Sequence, residues 1–280
     1  MKSGAASLIE GVRKSQYSDR GAVVINADDW GRTVETTDRT LDCMRAGVVS
    51  SVSAMVFMAD SARAAMIALD NNVDTGLHLN FTTALDAPGC PPMLREHQER
   101  IGRYLLAHKY SRVLYHPGLA GAFEYVVAAQ LDEYQRIYGH APQRIDGHHH
   151  MHLCANVIFG KLLPEGTIVR RNHSFQQGEK SIVNRVYRNW IDNMLARRHR
   201  MIDRFFVLPP LKPQSRLAGI FALADRYNIE VETHPVKHED YTYLMGGELK
   251  RCLGLSKVAR GYLLRSEDPR GMEGLAYESE

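Results

Sequence analysis

A short stretch of the sequence, RIDGHHHMHL at residues 144–153, concentrates side chains that can bind a metal ion. It contains one aspartate and four histidines, Asp146, His148, His149, His150 and His152. Neutral imidazole is a common ligand of divalent metals in proteins. A histidine-rich surface loop is the alternative, so a metal site is predicted only if other parts of the chain supply further ligands.

Acidic and imidazole side chains also follow three other apolar runs. They are Asp28 and Asp29 in NADDW, His78 in GLHLN, and Glu232 and His234 in VETHP. Each has an ordinary explanation by itself, because aspartate serves turns and helix N-caps and a single histidine is commonly a satisfied core residue. Together they form a set of carboxylates and imidazoles without cysteine, which is the ligand chemistry of a divalent cation.

The elements that must position these residues are short apolar runs bounded by polar residues or glycine, which predict buried strands. They cover residues 22–26, 52–57, 75–80, 143–148, 167–171, 205–208 and 229–234. Amphipathic stretches between them predict helices at 34–47, 60–72, 123–139, 181–199 and 213–228. This alternation indicates an α/β fold, either a barrel or near-barrel of parallel strands or an open doubly wound sheet.

The polar residues named above fall at the predicted carboxyl ends of four strands. Parallel α/β folds build their sites at that edge, because the strand ends and the loops that follow them converge there. We therefore expect these side chains to meet. An open coordination position on an ion held there would make the site catalytic rather than structural.

Residues 81–122 interrupt the alternation and are predicted to be an insertion, either a lid or binding loop or an ordinary excursion of the chain. Residues 1–20 are predicted to be an N-terminal extension, and residues 21–280 a single domain. No stretch reads as a signal peptide or approaches the roughly 20 apolar residues that cross a bilayer. A cytoplasmic protein without a membrane span is the expectation.

The composition is that of a globular protein, with 44% apolar and 24% charged residues. The formal net charge of +3 is too small to argue for a nucleic-acid partner. The four cysteines are scattered and form no CxxC pair, which argues against a zinc knuckle or a dithiol redox motif. Scattered cysteines fit a reducing compartment better than a disulfide framework.

The motifs VVINADDWG, VVSSVSAMV, TGLHLN, RIDGHHHMHL and VETHP, in this order, resemble the YdjC-like carbohydrate deacetylases. That family includes the chitooligosaccharide deacetylases and the hopanoid-associated HpnK group. The resemblance runs from about residue 21 to about residue 255. It implies an incomplete, TIM-like (β/α) barrel of about seven parallel strands and one divalent metal ion, with magnesium and zinc as the leading candidates.

The resemblance also implies roles for individual residues. The metal ligands would be Asp29, His78 and His148, the general base Asp28, and the general acid or a substrate contact His234. Residues expected to support these ligands, to orient His148, to close the site or to touch substrate are Asn26, Asp146, His149, His150, His152 and Glu232.

Three features depart from the family pattern. Trp30 stands where phenylalanine is usual, Val236 where many members have glycine, and residues 237–249 keep only a general likeness. The departures leave the three ligands unchanged. They leave open the acid role of His234 and the identity of the substrate.

The reaction implied is removal of the N-acetyl group from an amino sugar, with release of acetate. Asp28 would take a proton from water activated at the metal, and His234, as imidazolium, would protonate the leaving amine. The substrate would be a small-molecule or oligosaccharide amino sugar. No nucleic-acid partner is expected, and a homodimer is a candidate assembly.

Two alternatives stay open at this point. The Lys/Arg-rich stretch 180–204 would suit a metal phosphoesterase or nuclease on a barrel scaffold, although such charges are more often a solvated helix face. A non-catalytic, metal-dependent sugar-binding protein is the other alternative, and a fourth protein ligand on the metal would favour it.

Overall fold

The computed structural model describes residues 21–174, 181–208, 214–247, 249 and 258–262 of the chain. Its strands are β1 Val23–Trp30, β2 Ser51–Ala54, β3 Thr75–Leu79, β4 Arg144–Gly147, β5 Ile168–Val169, β6 Arg204–Val207 and β7 Ile229–Thr233. Its α-helices are α1 Val34–Arg45, α2 Ser61–Asp70, α3 Pro92–Ala107, α4 Ala120–Tyr138, α5 Ala155–Phe159, α6 Ile182–Ala196, α7 Gln214–Ala222 and α8 His238–Met245. The predicted N-terminal extension, residues 1–20, lies outside the described residues.

The seven strands form one parallel sheet in the order β5-β4-β3-β2-β1-β7-β6. The two edge strands do not pair with each other as a ladder. Within the described part of the chain, the gap between them is bridged where Ile168 pairs with Arg200 and where the amide of Ser174 donates to the carbonyl of Phe205 (2.7 Å). The predicted incomplete barrel is therefore confirmed, and the doubly wound alternative is wrong.

Strands β1, β2, β3, β4 and β7 have an apolar outer side and a largely polar inner side. On β1, Val23, Ile25 and Ala27 belong to the main hydrophobic core beneath the helices. Asn26 and Asp28 face the opposite way, since neighbouring side chains on a strand point to opposite faces. The neighbouring strands continue this polar interior with Ser51, Ser53, His78, Arg144, Asp146, Glu230 and Glu232.

A small apolar layer closes the amino-terminal end of this interior. It consists of Val24, Ile168, Ile202, Ala259 and Tyr262. The segment 258–262 is fixed there by the backbone, because the amide of Ala259 donates to the carbonyl of Val23 (2.8 Å) and the amide of Tyr262 donates to Asp74 (2.7 Å). The polar residues above this layer are therefore shielded from solvent on that side.

The boundaries differ from the predicted ones at the strand ends that carry the polar residues. Strand β1 continues to Trp30, with a register irregularity between Ala27 and Trp30, so both aspartates lie on the strand itself. The histidines after β4 are not extended as predicted. They form a 3-10 helix, His148–Leu153, in which His149 and His150 have φ angles of +55° and +56°.

The predicted insertion 81–122 contains α3 and two 3-10 turns, Ser111–Val113 and Pro117–Leu119, ahead of α4. Helix α3 begins at proline, which is favoured in the first turn of a helix, and buries Leu94, Ile101 and Leu105. A role for this segment as a lid stays a prediction. Among the described residues, none of the helices is long and apolar enough to cross a membrane.

Candidate metal centre and active site

Asp29, His78 and His148 meet at the carboxyl edge of the sheet, although they lie far apart in sequence. Asp29 Oδ1 is 2.9 Å from His148 Nδ1 and 3.3 Å from His78 Nε2. All three residues are buried, and each offers one ligand atom within 4.8 Å of the other two. The structure thus brings together the three predicted ligands in a geometry that one cation could bridge.

Asp29 reaches this position through a strained backbone. Its φ angle is +66°, in the left-handed region that non-glycine residues adopt at a cost. The conformation is held by the amide of Arg32, which donates to the carbonyl of Asp29 (3.0 Å), and by the Arg32 guanidinium on Asp29 Oδ2 (3.0 Å). Aspartate tolerates this region better than most residues, so the turn can display a carboxylate at the strand end.

The environment of His78 fits a metal ligand. Its Nδ1 lies 2.7 Å from Asp146 Oδ1, and this contact favours the tautomer with the proton on Nδ1. Its Nε2 is buried, has no hydrogen-bond partner among the residues that the structure describes, and faces the Asp29 carboxylate. If Nδ1 carries the proton and the ring is neutral, the lone pair of Nε2 faces a lone pair of the Asp29 carboxylate. This arrangement therefore requires a cation or a second proton between the two atoms.

The charges around His78 and Asp29 support the same conclusion. Burial lowers the pKa of His78, but the carboxylates of Asp28 and Asp146 outweigh it and raise that pKa well above its usual value. Burial raises the pKa of Asp29, but hydrogen bonds from His148 and His78 outweigh it and hold that pKa far below its usual value. When no metal ion is bound, a proton on His78 balances the negative charge of the surrounding carboxylates. The carboxylate and imidazole ligands of this cluster suit a divalent cation.

Asp28 sits beside this cluster and is held by a buried arginine. Arg170 forms a two-pronged pair with it, Nη1 to Oδ2 and Nη2 to Oδ1, both at 2.7 Å. The side-chain amide of Asn26 also donates to Asp28 Oδ1 (2.9 Å). Bidentate pairs of this kind fix orientation as well as contributing energy, so the plane of the Asp28 carboxylate is set.

Arg170 is a site residue that sequence reasoning missed. It is fully buried and also contacts Asp146 Oδ2 (2.8 Å), Glu230 Oε1 (2.7 Å) and Glu232 Oε2 (3.5 Å). One guanidinium therefore faces four carboxylates. Its sequence signal is weak, because the charged pair that ends TIVRR looks like the solvated end of a strand.

Replacing Arg170 by methionine is expected to lower the free energy of unfolding by about 3–5 kcal/mol, because removing one partner of a buried ion pair leaves uncompensated charge. The measurement is the midpoint of urea unfolding. Arg136→Met is the control, since that arginine is exposed and pairs with Glu133 on the surface of α4, where ion pairs contribute little. Equal midpoints for the two variants would contradict the structural role of Arg170.

Glu232 and His234 lie on the other side of Asp28. Glu232 Oε1 is 3.7 Å from His234 Nε2, and Glu232 Oε2 is 3.5 Å from His150 Nε2. Burial, together with the charge of Asp28, raises the pKa of Glu232 well above its usual value. Burial lowers the pKa of His234 and works against the imidazolium form expected from the sequence. Both shifts therefore disfavour a carboxylate–imidazolium ion pair between these two side chains.

The remaining predicted residues lie around the three predicted ligands, and their roles stay predictions. Asp146 contacts His78. The ring of His149 lies against that of His148, with centroids 4.0 Å apart, and His149 Nδ1 is 3.1 Å from the Thr82 hydroxyl. His152 Nε2 lies 2.9 Å from the backbone carbonyl of Arg170, so this histidine helps to hold the backbone of Arg170 in place.

A cavity of about 510 Å³ opens beside these residues. Its wall includes His150 and His173, whose rings are 4.3 Å apart, together with Asn172, Tyr187 and Arg188. Burial lowers the pKa of His173 to about 4, so its ring is neutral near pH 7. The cavity therefore offers aromatic and polar surface to a ligand, and His150, which lies 3.5 Å from Glu232, connects its wall to the carboxylate cluster.

The family comparison decides the classification. A family model described as YdjC-like protein matches residues 22–252, which is most of the chain. The chain belongs to the YdjC-like family. The family resemblance expected from the motifs is thereby confirmed.

Curated relatives of this YdjC-like chain carry deacetylase names. A carbohydrate deacetylase of Danio rerio is 28% identical over 154 residues, covering 51% of this chain and 46% of the relative. A carbohydrate deacetylase of Geobacillus stearothermophilus is 29% identical over 138 residues, and a chitooligosaccharide deacetylase of Klebsiella pneumoniae subsp. pneumoniae is 26% identical over 136 residues; both alignments cover 48% of this chain and 52% of the relative. The chain thus spans about half the length of the curated relatives it matches.

A solved structure supports the YdjC-like fold. It is an Enterococcus faecalis V583 protein named as a candidate for cellobiose-phosphate cleavage, with a TM-score of 0.59 and 16% identity. The similarity covers 89% of this chain and 98% of that protein. At this level of identity the likeness concerns the fold alone.

Proposed function

We propose that this YdjC-like protein is a metal-dependent hydrolase that removes the N-acetyl group from an N-acetylated amino sugar and releases acetate. The observation that carries the proposal is the buried cluster of Asp29, His78 and His148, with the unpartnered Nε2 of His78, directly beside an arginine-held Asp28. The deacetylase names of the relatives supply the substrate class.

Asp29, His78 and His148 would hold one divalent ion, magnesium or zinc. Such an ion supplies Lewis acidity, which lowers the pKa of water and stabilises negative charge on an amide oxygen. Three protein ligands leave coordination positions for water and substrate, as catalytic sites require. Asp146 would fix the ring and tautomer of His78 through their 2.7 Å contact.

Asp28 would accept the proton of the attacking water. Its two oxygens offer about four lone-pair positions, so the contacts with Arg170 and Asn26 still leave it able to act as an acceptor. Those contacts hold the carboxylate in one orientation, and a positioned base is what proton transfer in a transition state needs.

The Glu232–His234 pair would deliver a proton to the leaving amine. Because burial favours the neutral carboxyl form of Glu232, we propose that this group supplies the proton through His234, 3.7 Å away. His234 is held in place by its backbone amide, which donates to Asp240 (2.8 Å). In this proposal Glu232 is the source of the proton, and His234 transfers it to the leaving amine.

The test is acetate release from N-acetylglucosamine oligomers, free and conjugated. We expect release by the metal-loaded protein, loss after treatment with a chelator, and recovery when magnesium or zinc is restored. Parallel assays of aryl phosphate esters cover the phosphoesterase alternative. Phosphate release without acetate release would overturn the proposal, and so would acetate release that the chelator leaves unchanged. A cytoplasmic location and a homodimer stay predictions.

A further inference from the structure

One surface of the molecule combines exposed apolar side chains with positive charge. We call it the basic apolar face and define it by residues 109–115, 155–161 and 181–197. Its apolar side chains are unusually exposed for their type, with Ile182 77%, Val183 80%, Val186 63% and Trp190 48% accessible. Large contiguous apolar patches on a soluble protein commonly mark an interaction site.

The exposed side chains form a continuous stripe on α6. Ile182, Val186 and Trp190 are spaced by four residues, which places them on one side of the helix. Ile191 and Leu195 occupy a different side and are buried against the barrel. The helix therefore has a second apolar side that the core does not use.

Neighbouring segments extend the stripe into a patch. The ring of Phe159, at the end of α5, lies 6.0 Å from that of Trp190, and Phe159 is itself 44% accessible. Tyr110, Leu114 and Tyr115, on the loop after α3, are also exposed. The patch thus draws on three segments of the chain.

The charge of this face is one-sided. Its three segments contain six basic residues, Lys109, Arg112, Lys161, Arg185, Arg188 and Arg197. They contain one acidic residue, Asp192, which is buried and paired with Arg171 (3.0 Å). The whole chain has 35 basic and 32 acidic residues, so this imbalance is local.

The face also borders the cavity beside the candidate active site. The 510 Å³ cavity is lined by Arg112, Val183 and Arg188 of the face and by His150. His150 Nε2 lies 3.5 Å from Glu232. A surface that covers this face would therefore also lie over this cavity.

We propose that the basic apolar face docks the protein on an anionic phospholipid bilayer. Aliphatic and tryptophan side chains on one side of a helix, flanked by arginine and lysine, are the chemistry of an interfacial helix. Anionic headgroups attract such basic residues, and the attraction falls within a Debye length. The apolar side chains would enter the headgroup boundary, and the arginines would contact phosphate groups.

The same charges disfavour a second copy of the chain as the occupant. A two-fold contact through this face would bring the arginines of one copy against those of the other, and like charges across an interface oppose association. A lipid surface of opposite charge has no such penalty. The bilayer is therefore the occupant that the charge pattern favours.

The experiment is sedimentation of the full chain with phosphatidylcholine vesicles, with and without phosphatidylglycerol. We expect binding to the anionic vesicles that weakens as salt is raised. Tryptophan fluorescence adds a built-in probe, because Trp30 is fully buried and Trp190 lies in the stripe. Brominated lipids should quench the wild type, whereas Trp190→Phe should still sediment but lose the quenching.

Paired variants test the face itself. Ile182→Ser with Val186→Ser should weaken vesicle binding by more than about tenfold, because two aliphatic side chains lose their burial. Met66→Ser with Leu69→Ser is the control, since both residues are exposed on α2. Arg185→Glu should likewise weaken binding, and Arg100→Glu on α3 should not.

Three outcomes would overturn the proposal: equal binding to neutral vesicles, equal losses in the control variants, or absence of quenching in the wild type. Self-association abolished by the stripe variants, without vesicle binding, would assign the face to a second copy instead. None of these readouts depends on amide hydrolysis. The docking proposal and the proposed function can therefore fail separately.

Discussion

Asp29→Ala is expected to lose the bound divalent ion and the release of acetate together. Asp29 Oδ1 lies within 3.3 Å of an imidazole nitrogen of both His78 and His148, so its removal takes away the anionic ligand that joins them. Metal affinity should fall by more than about 100-fold, because removing a residue that only hydrogen-bonds to a metal ligand already lowers metal affinity by about 10–100-fold. Elemental analysis after dialysis and an acetate assay measure the two effects.

Asp60→Ala provides the matched control for this variant. Asp60 is also a buried aspartate paired with an arginine three residues later, Arg63, at 2.8 Å. It lies at the start of α2 instead of in the cluster. We expect this control to lose some stability and keep metal and turnover. An Asp29→Ala protein that retains stoichiometric metal and full activity would remove the metal centre from this position.

Asp28→Asn is expected to keep the metal and lose turnover. The amide is the same size as the carboxylate but cannot accept a proton from water, and a positioned general base contributes about 10²–10⁴-fold to the rate. We therefore expect kcat to fall within that range while the metal content is unchanged. Steady-state kinetics and elemental analysis of one protein sample measure both.

The control here is Asp74→Asn, which also breaks an aspartate–arginine contact. Asp74 Oδ1 lies 2.7 Å from Arg144 Nη1, below the polar interior and away from the metal cluster. We expect this variant to lose stability without losing kcat. Normal deacetylation by the Asp28→Asn protein would show that another group serves as the base.

Most of the fold followed from the sequence because the outer side of each strand is strongly apolar. Val23, Ile25 and Ala27 mark β1, and Ile229 and Val231 mark β7, with polar residues between them. Parallel strands then bring their carboxyl ends to one edge, which is why the three predicted ligands meet. The assignment of roles to those residues stays a prediction.

The details that the sequence did not reveal depend on local backbone and on long-range pairing. The left-handed conformation of His149 and His150 kinks the chain just after β4, and periodicity carries no signal for it. The sequence did not identify the partner of Asp146, which is His78 across the β3–β4 register, where the two residues lie opposite each other. Arg170 was missed because its four carboxylate partners lie on three other strands, β1, β4 and β7.

The pairing of β1 with β7 bears on how the chain acquires its activity during synthesis. Ala22 and Asn228, which are joined where the two strands begin, stand 206 residues apart in the chain. Until the ribosome has delivered β7, the strand that displays Asp28 and Asp29 has an unpaired edge, and contacts of such long range form slowly. Nascent chains are therefore exposed to misassociation for most of translation, and any holding chaperone would act during that interval.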